Sequence, residues 1–269
     1  MKTVLVTGAS SGFGKQVALR LLEEGYTVYG AARRVEKMRD IEERGGHVLE
    51  MDVTDTAAVN AGVNRMIAEQ GRIDVLFNNA GYGSYGIIEC VPLDEIKYQY
   101  DVNVFGMARM IQAVLPHMRA QRSGRIINTA SVVGHVSMAV LGWYASTKFA
   151  VEAMTDALRM EVKRLGIDVV LIEPGAVKTG FDDVAFAALD KTGCPDDYQA
   201  LVSAFKHFGQ AMYAKCPGPE STVKAVLKAI KARRPKIRYA TTTDAWILPK
   251  VRRLLGARLF DWAILRRLR

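Results

Sequence analysis

Seven short apolar runs rich in β-branched residues recur between stretches of helical character: residues 2–7, 26–32, 47–51, 73–78, 125–131, 167–173 and 237–240. Runs such as Asp168-Val-Val-Leu-Ile172 are almost continuously apolar. That pattern is expected where helices cover both faces of a parallel sheet, whereas a one-sided antiparallel sheet would alternate. The rhythm therefore predicts an α/β fold with a doubly wound parallel sheet. With 269 residues, 49% hydrophobic and 24% charged, the chain can bury one deep core without staples. No repeat, low-complexity segment or linker marks a second globular unit. Two regions break the rhythm: 179–219, which lacks a clear strand, and 245–269, which reads as basic amphipathic helix with a break expected at Pro249. The expected organisation is a main domain over 1–243, carrying a helical loop at about 179–219, and an extension over 244–269.

The first run leads into Thr7-Gly8-Ala9-Ser10-Ser11-Gly12-Phe13-Gly14, and a helix is expected from about Lys15 to Glu24. Glycines let the backbone turn sharply and approach a pyrophosphate, whose charge is favoured at a helix N-terminus. Gly8, Ser10, Ser11, Gly12, Phe13 and Gly14 are thus candidate dinucleotide contacts. The second run ends Tyr29-Gly-Ala-Ala-Arg33-Arg34, without the acidic residue that often bonds an adenosine 2′-hydroxyl. Arg33, with Arg34 beside it, offers a planar fork suited to a 2′-phosphate, which points to NADP(H) over NAD(H). A solvated loop is the other reading of these arginines. Asp52, followed by Val53, closes the third run and could accept from an adenine amino group or cap the helix starting near Asp55. Asn79, Ala80 and Gly81 follow the fourth run, where a strand's carboxyl end opens a ligand crevice.

Tyr144 and Lys148 stand four apart on an expected helix and so share a face. Ser131 closes the fifth run, thirteen residues before Tyr144. With these motifs in order, the sequence resembles the short-chain dehydrogenase/reductase family in its compact form, over residues 1 to about 240. The family's TGxxxGxG is similar to Thr7–Gly14, its NNAG to Asn78–Gly81, and its YxxxK to Tyr144–Lys148. Its catalytic Asn is similar to Asn103, its Ser to Ser131, and its PG motif with a following threonine to Pro174, Gly175 and Thr179. The resemblance implies a Rossmann-type fold and a tetrad of Asn103, Ser131, Tyr144 and Lys148. Tyr144 would exchange the proton with the substrate oxygen. Lys148 would favour the phenolate and hold the nicotinamide ribose, because an unperturbed phenol is a poor base near neutrality. Ser131 would hold the substrate oxygen, and Asn103 would fix a water leading to Lys148. Thr179 would bond the carboxamide, with Val177 orienting the ring. No metal is called for.

The loop carries Phe181, Val184, Phe186, Leu189, Phe205, Phe208, Met212 and Tyr213, which would wall an apolar pocket or pack the loop onto the core. Val133, His135, Leu141, Phe181 and Phe186 are its candidate substrate-facing residues. This segment resembles the hydroxysteroid, retinol and lipid-like carbonyl reductase branch, which implies a steroid-, retinoid- or lipid-like carbonyl or alcohol, or a small aromatic or aliphatic one. In the tail, Leu248, Val251, Leu255, Leu259, Trp262 and Leu265 follow helical spacing among Lys250, Arg252, Arg253, Arg258, Arg266, Arg267 and Arg269. This stripe could cover the substrate site, a subunit interface or an anionic membrane surface. The family resemblance implies a homodimer or homotetramer. The net charge of +9 lies in the tail: from Lys228 to Arg269 the balance is +11. No nucleic-acid-binding module accompanies it, so no nucleic-acid partner is expected. Cys90, Cys194 and Cys216 are odd in number and far apart, which argues against disulfides and zinc. With the first run starting at once after Met1, a cytoplasmic location is expected. A catalytically silent dinucleotide sensor or tail-docked scaffold is the reading from another class.

Overall fold

The computed structural model describes residues 2–268. Strands β1 (Thr3–Thr7), β2 (Thr27–Ala32), β3 (His47–Glu50), β4 (Val75–Asn78), β5 (Gly124–Thr129), β6 (Ile167–Glu173) and β7 (Arg238–Ala240) form one sheet in the order β3-β2-β1-β4-β5-β6-β7. Every neighbouring pair is parallel. Helices α1 (Gly12–Glu23), α2 (Arg39–Glu43) and α9 (Glu220–Lys231) lie on one face, and α3 (Thr56–Gln70), α5 (Gly106–Gln121) and α6 (Gly142–Val162) on the other, while α4 (Leu93–Tyr100) leads into α5.

The period of two along each strand builds two cores from one run. In β1, Val4 and Val6 point to Val17 and Leu21 of α1 and to Val226 and Ile230 of α9, whereas Leu5 points to Met66 of α3 and Met110 of α5. All of these are fully buried, each contributing about 1.5–3 kcal/mol of transfer free energy. The α3 start is set by Asp55, whose carboxylate accepts from Ala57 N at 2.8 Å and Ala58 N at 3.3 Å. Replacing Asp55 by Ala should therefore cost about 1 kcal/mol in a urea unfolding titration, without touching catalysis.

The 179–219 region folds as two helices, α7 (Phe181–Thr192) and α8 (Asp196–Lys215), which close over the carboxyl ends of β4 to β6. The extension is α10 (Thr243–Arg267), and its break falls at Gly256 (φ 69°, ψ 176°), with Pro249 inside continuous helix. The stripe expected over Leu248–Leu265 is divided there. The glycine rotates the second half, so that Phe260, Ile264 and Leu268 join Leu248 and Val251 in a third core cluster, while Leu255, Leu259, Trp262 and Leu265 are exposed. Arg269 lies outside the described residues. Among the described residues no helix is long and apolar enough to cross a membrane.

Candidate active site

At the carboxyl ends of β1, β2 and β4 a groove of about 530 Å3 is lined by Gly8, Ser10, Ser11, Gly12, Phe13, Arg33, Arg34, Asp52, Val53, Asn79, Ala80, Gly81 and Thr179. Two glycines are required there. Gly8 sits at φ +67°, and a Cβ on Gly14 would come within 2.5 Å of the Gly8 carbonyl oxygen. Thr7 locks the turn to the opposite wall, its hydroxyl accepting from Asn79 N at 3.0 Å and Ala80 N at 3.1 Å. The first turn of α1 has no side-chain cap and no acidic residue, so its free N–H groups and positive end face the groove. An uncapped helix end in a glycine-lined groove fits a dinucleotide pyrophosphate.

Arg33 Nη1 donates to the Tyr98 hydroxyl at 2.8 Å and stands 3.7 Å from Asp52 Oδ2. The other Asp52 oxygen accepts from Thr54 N and Oγ1 at 2.9 and 2.8 Å. Of its two readings, the helix cap belongs to Asp55 instead, and Asp52 stays in the groove wall. Lys37, three residues beyond Arg34 on a 3-10 turn, adds a cation to this end that the strand-end motif does not flag.

A second cavity, about 190 Å3 and sharing Phe13, Asn79, Gly81, Thr179 and Phe181 with the groove, holds Ser131, Tyr144, Lys148, Pro174, Gly175 and Val177 in its wall. Ser131 closes the expected run but lies two residues past the end of β5, which stops at Thr129, and there its hydroxyl accepts from Val133 N and donates to Pro174 O, both at 3.3 Å. Lys148 Nζ sits 5.8 Å from the Tyr144 ring centre and donates to Thr129 O at 3.0 Å. Burial lowers the lysine to about 8. The Tyr144 phenol is raised well above its ordinary value, by burial first and then by Tyr85 and Asp182, with Ser131 pulling the other way.

Asn103 falls in a π-helical turn (Asp101–Phe105) that joins α4 to α5. Its Oδ1 accepts from Tyr82 N at 2.7 Å, and its Nδ2 donates to Tyr82 O at 2.8 Å and to Thr147 Oγ1 at 3.2 Å. The amide thus fastens the loop after β4 to α6, and the π turn is what swings it inward.

Val133, Leu141 and Phe181 line the cavity. His135 and Phe186 do not. His135 Nε2 turns to Glu173 Oε1 at 3.2 Å, with Glu152 Oε1 at 3.7 Å, because these buried carboxylates offer a partner the apolar pocket lacks. Phe186 packs behind the wall against Phe205, Tyr213 and Tyr85. Phe205, Phe208, Met212 and Tyr213 line the cavity, Leu189 is core, and Val184 faces the dinucleotide groove. Polar groups that motif reasoning missed are Asp182, in the wall, and Thr242 with Asp244 at the start of α10. Thr242 Oγ1 accepts from Gly175 N at 2.9 Å and Asp244 Oδ2 from Ala176 N at 3.0 Å. An acidic residue inside an aromatic loop was the available signal for Asp182.

The chain is similar to known proteins over most of its length. A family model described as short chain dehydrogenase matches residues 2–189. The 3-ketodihydrosphingosine reductase of Bacteroides thetaiotaomicron is 38% identical over 87% of this chain and 86% of its own length. The NADPH-dependent 3-dehydrocapnine reductase of Ornithobacterium rhinotracheale is 33% identical over 97% and 95%. Among solved structures, a short-chain dehydrogenase from Streptomyces avermitilis superposes with a TM-score of 0.82 at 32% identity, covering 99% of this chain and 97% of that one.

Proposed function

The chain belongs to the short-chain dehydrogenase family and is an oxidoreductase of alcohol or carbonyl substrates, and we propose that it moves a hydride between NADP(H) and an apolar ketone, aldehyde or secondary alcohol. The observation that carries this reading is the Tyr144–Lys148–Ser131 group in the wall of an aromatic cavity that shares residues with the glycine-lined groove. The nicotinamide, when bound, supplies or accepts the hydride. Ser131 holds the substrate oxygen and Tyr144 gives it a proton during reduction. A phenol kept neutral by burial is set for donation, and Lys148, one helical turn away, steadies the charge left on the tyrosine. Asn103 acts at one remove by holding the Tyr82 backbone and Thr147. The apolar substrate class rests on Val133, Leu141, Phe181, Phe205, Phe208 and Met212.

The NADP(H) preference is supported by Arg33, Arg34 and Lys37 around the end of β2, and a relative is named for NADPH dependence. Asp52, 3.7 Å from Arg33, is the observation that favours NAD(H), since it competes with a 2′-phosphate for the guanidinium. Fluorescence titration separates the two. NADPH should bind more tightly than NADH, and Arg33→Ala should weaken NADPH by about 10- to 100-fold while leaving NADH little changed. Equal affinities in the wild type would overturn the preference, and no binding of either would overturn the enzymatic reading.

A further inference from the structure

We propose that Asp182 forms, in the cavity wall shared with Tyr144 and Ser131, a subsite for a protonated amine carried near the reacting carbonyl, so that the substrate is an amino ketone with an apolar body. The proposal rests on the reductase reading above and names the substrate class of that site.

Asp182 lies in the first turn of α7, next to Phe181, whose ring centre is 5.4 Å from that of Tyr144. It lines the same cavity as Ser131, Tyr144, Lys148 and Tyr213. Three other polar groups of that wall are engaged by the protein itself, while Thr129 Oγ1 has no partner among the described residues. Asp244 accepts from Ala176 N, Lys148 donates to Thr129 O, and Ser131 is bonded to Pro174 O and Val133 N. Asp182 has the Tyr213 hydroxyl within hydrogen-bonding reach, and no cation offsets it among the described residues. Burial raises its pKa to about 6, so near neutrality the pocket holds a largely ionised carboxylate without a counter-charge.

Such a group is costly to the folded chain unless a partner arrives. The helix N-terminus accounts for part of its tolerance, but Asp183 on the same turn meets that need while exposed. A ligand ammonium restores the missing pairing in a water-poor site, where such pairing is strongest, and leaves its apolar remainder against Phe205, Phe208 and Met212. Polar groups placed sparingly in an apolar pocket are what fix ligand orientation, and here the charge lines the same cavity as the proton donor.

Two measurements test it. In calorimetry, octylammonium should bind about 10- to 100-fold more tightly than 1-octanol, and the difference should disappear in Asp182→Asn but persist in Asp183→Asn. In steady-state reduction, a straight-chain α-amino ketone should exceed its desamino analogue in kcat/KM by a similar factor, chiefly through KM. That ratio should collapse in Asp182→Asn and fall in the wild type as the pH drops below about 6. Equal binding of amine and alcohol by the wild type, or a preference that survives Asp182→Asn, overturns the subsite. Asp182-dependent amine binding without turnover of any ketone overturns the reductase reading and leaves the subsite standing.

Discussion

Tyr144→Phe should lower the rate of carbonyl reduction by roughly two to four orders of magnitude while NADPH affinity stays within a few-fold. Phenylalanine keeps the ring that packs against Phe181 and Tyr85 and removes only the hydroxyl. The loss therefore reports proton transfer rather than the shape of the cavity. Burial holds the phenol's pKa above its ordinary value, so the proton to be donated is present throughout the neutral range. Lys148 sets the upper limit. It is an ammonium below about 8 and neutral above, and the wild-type kcat/KM for reduction should fall as the pH rises through that value. Single-turnover rates of the two proteins, with NADPH titrated in parallel, check the first claim, and a pH profile checks the second. A variant retaining a tenth or more of the wild-type rate would remove Tyr144 from the chemistry.

The second large effect is on stability. Arg238, on β7, donates to Glu152 Oε2 at 3.1 Å and Asp156 Oδ2 at 2.7 Å and lies 3.1 Å from Glu173 Oε1, with His135 on the far side of the two glutamates. Arg238→Met should destabilise the protein by about 3–5 kcal/mol at pH 8, because two buried glutamates and Asp156 lose their shared cation. The cost should shrink on acidification. Burial raises Glu152 to about 7 from an ordinary 4.5, with Glu173 adding to the effect, so between those values the folded chain holds a proton that the unfolded chain has released. His135 is raised too, first by its hydrogen bond to Glu173. Both groups make the folded state bind more protons than the unfolded one, so their contribution is greatest on the acid side and declines as the pH rises. Losing the arginine raises Glu152 further and strengthens that trend. Urea midpoints at pH 6 and pH 8 for the two proteins read the difference directly, and an equal cost at both values would show that the cluster does not take up protons in this way.

The cluster also shows where motif reading stopped. His135 follows Ser131 closely enough to be assigned to the pocket, yet a pocket assignment depends on which way a side chain turns, and buried carboxylates on α6 and β6 turn this one away. Phe186 fails for a similar reason. Aromatic residues on α7 share one composition, but only some faces of the helix reach the cavity, and Phe186 is spent on Phe205 and Tyr213. Lys37 and Asp182 have no motif spacing at all, and their place in the walls comes from a 3-10 turn and a helix start folding back over the sheet.

What the sequence by itself determined is whatever short-range chemistry encodes. Continuous apolar runs require a sheet covered on both faces, the Gly8–Gly14 turn requires a backbone that only glycine adopts closely enough, and the Tyr144–Lys148 spacing puts two side chains on one helical face. Tertiary structure alone decided the rest: the phase shift at Gly256 that splits the α10 stripe, the π turn that points Asn103 at Tyr82, and the entry of Asp182 into the wall of an aromatic cavity. Each depends on how far-separated segments approach, and the energy of that approach lies in burial and charge pairing, which no local pattern records.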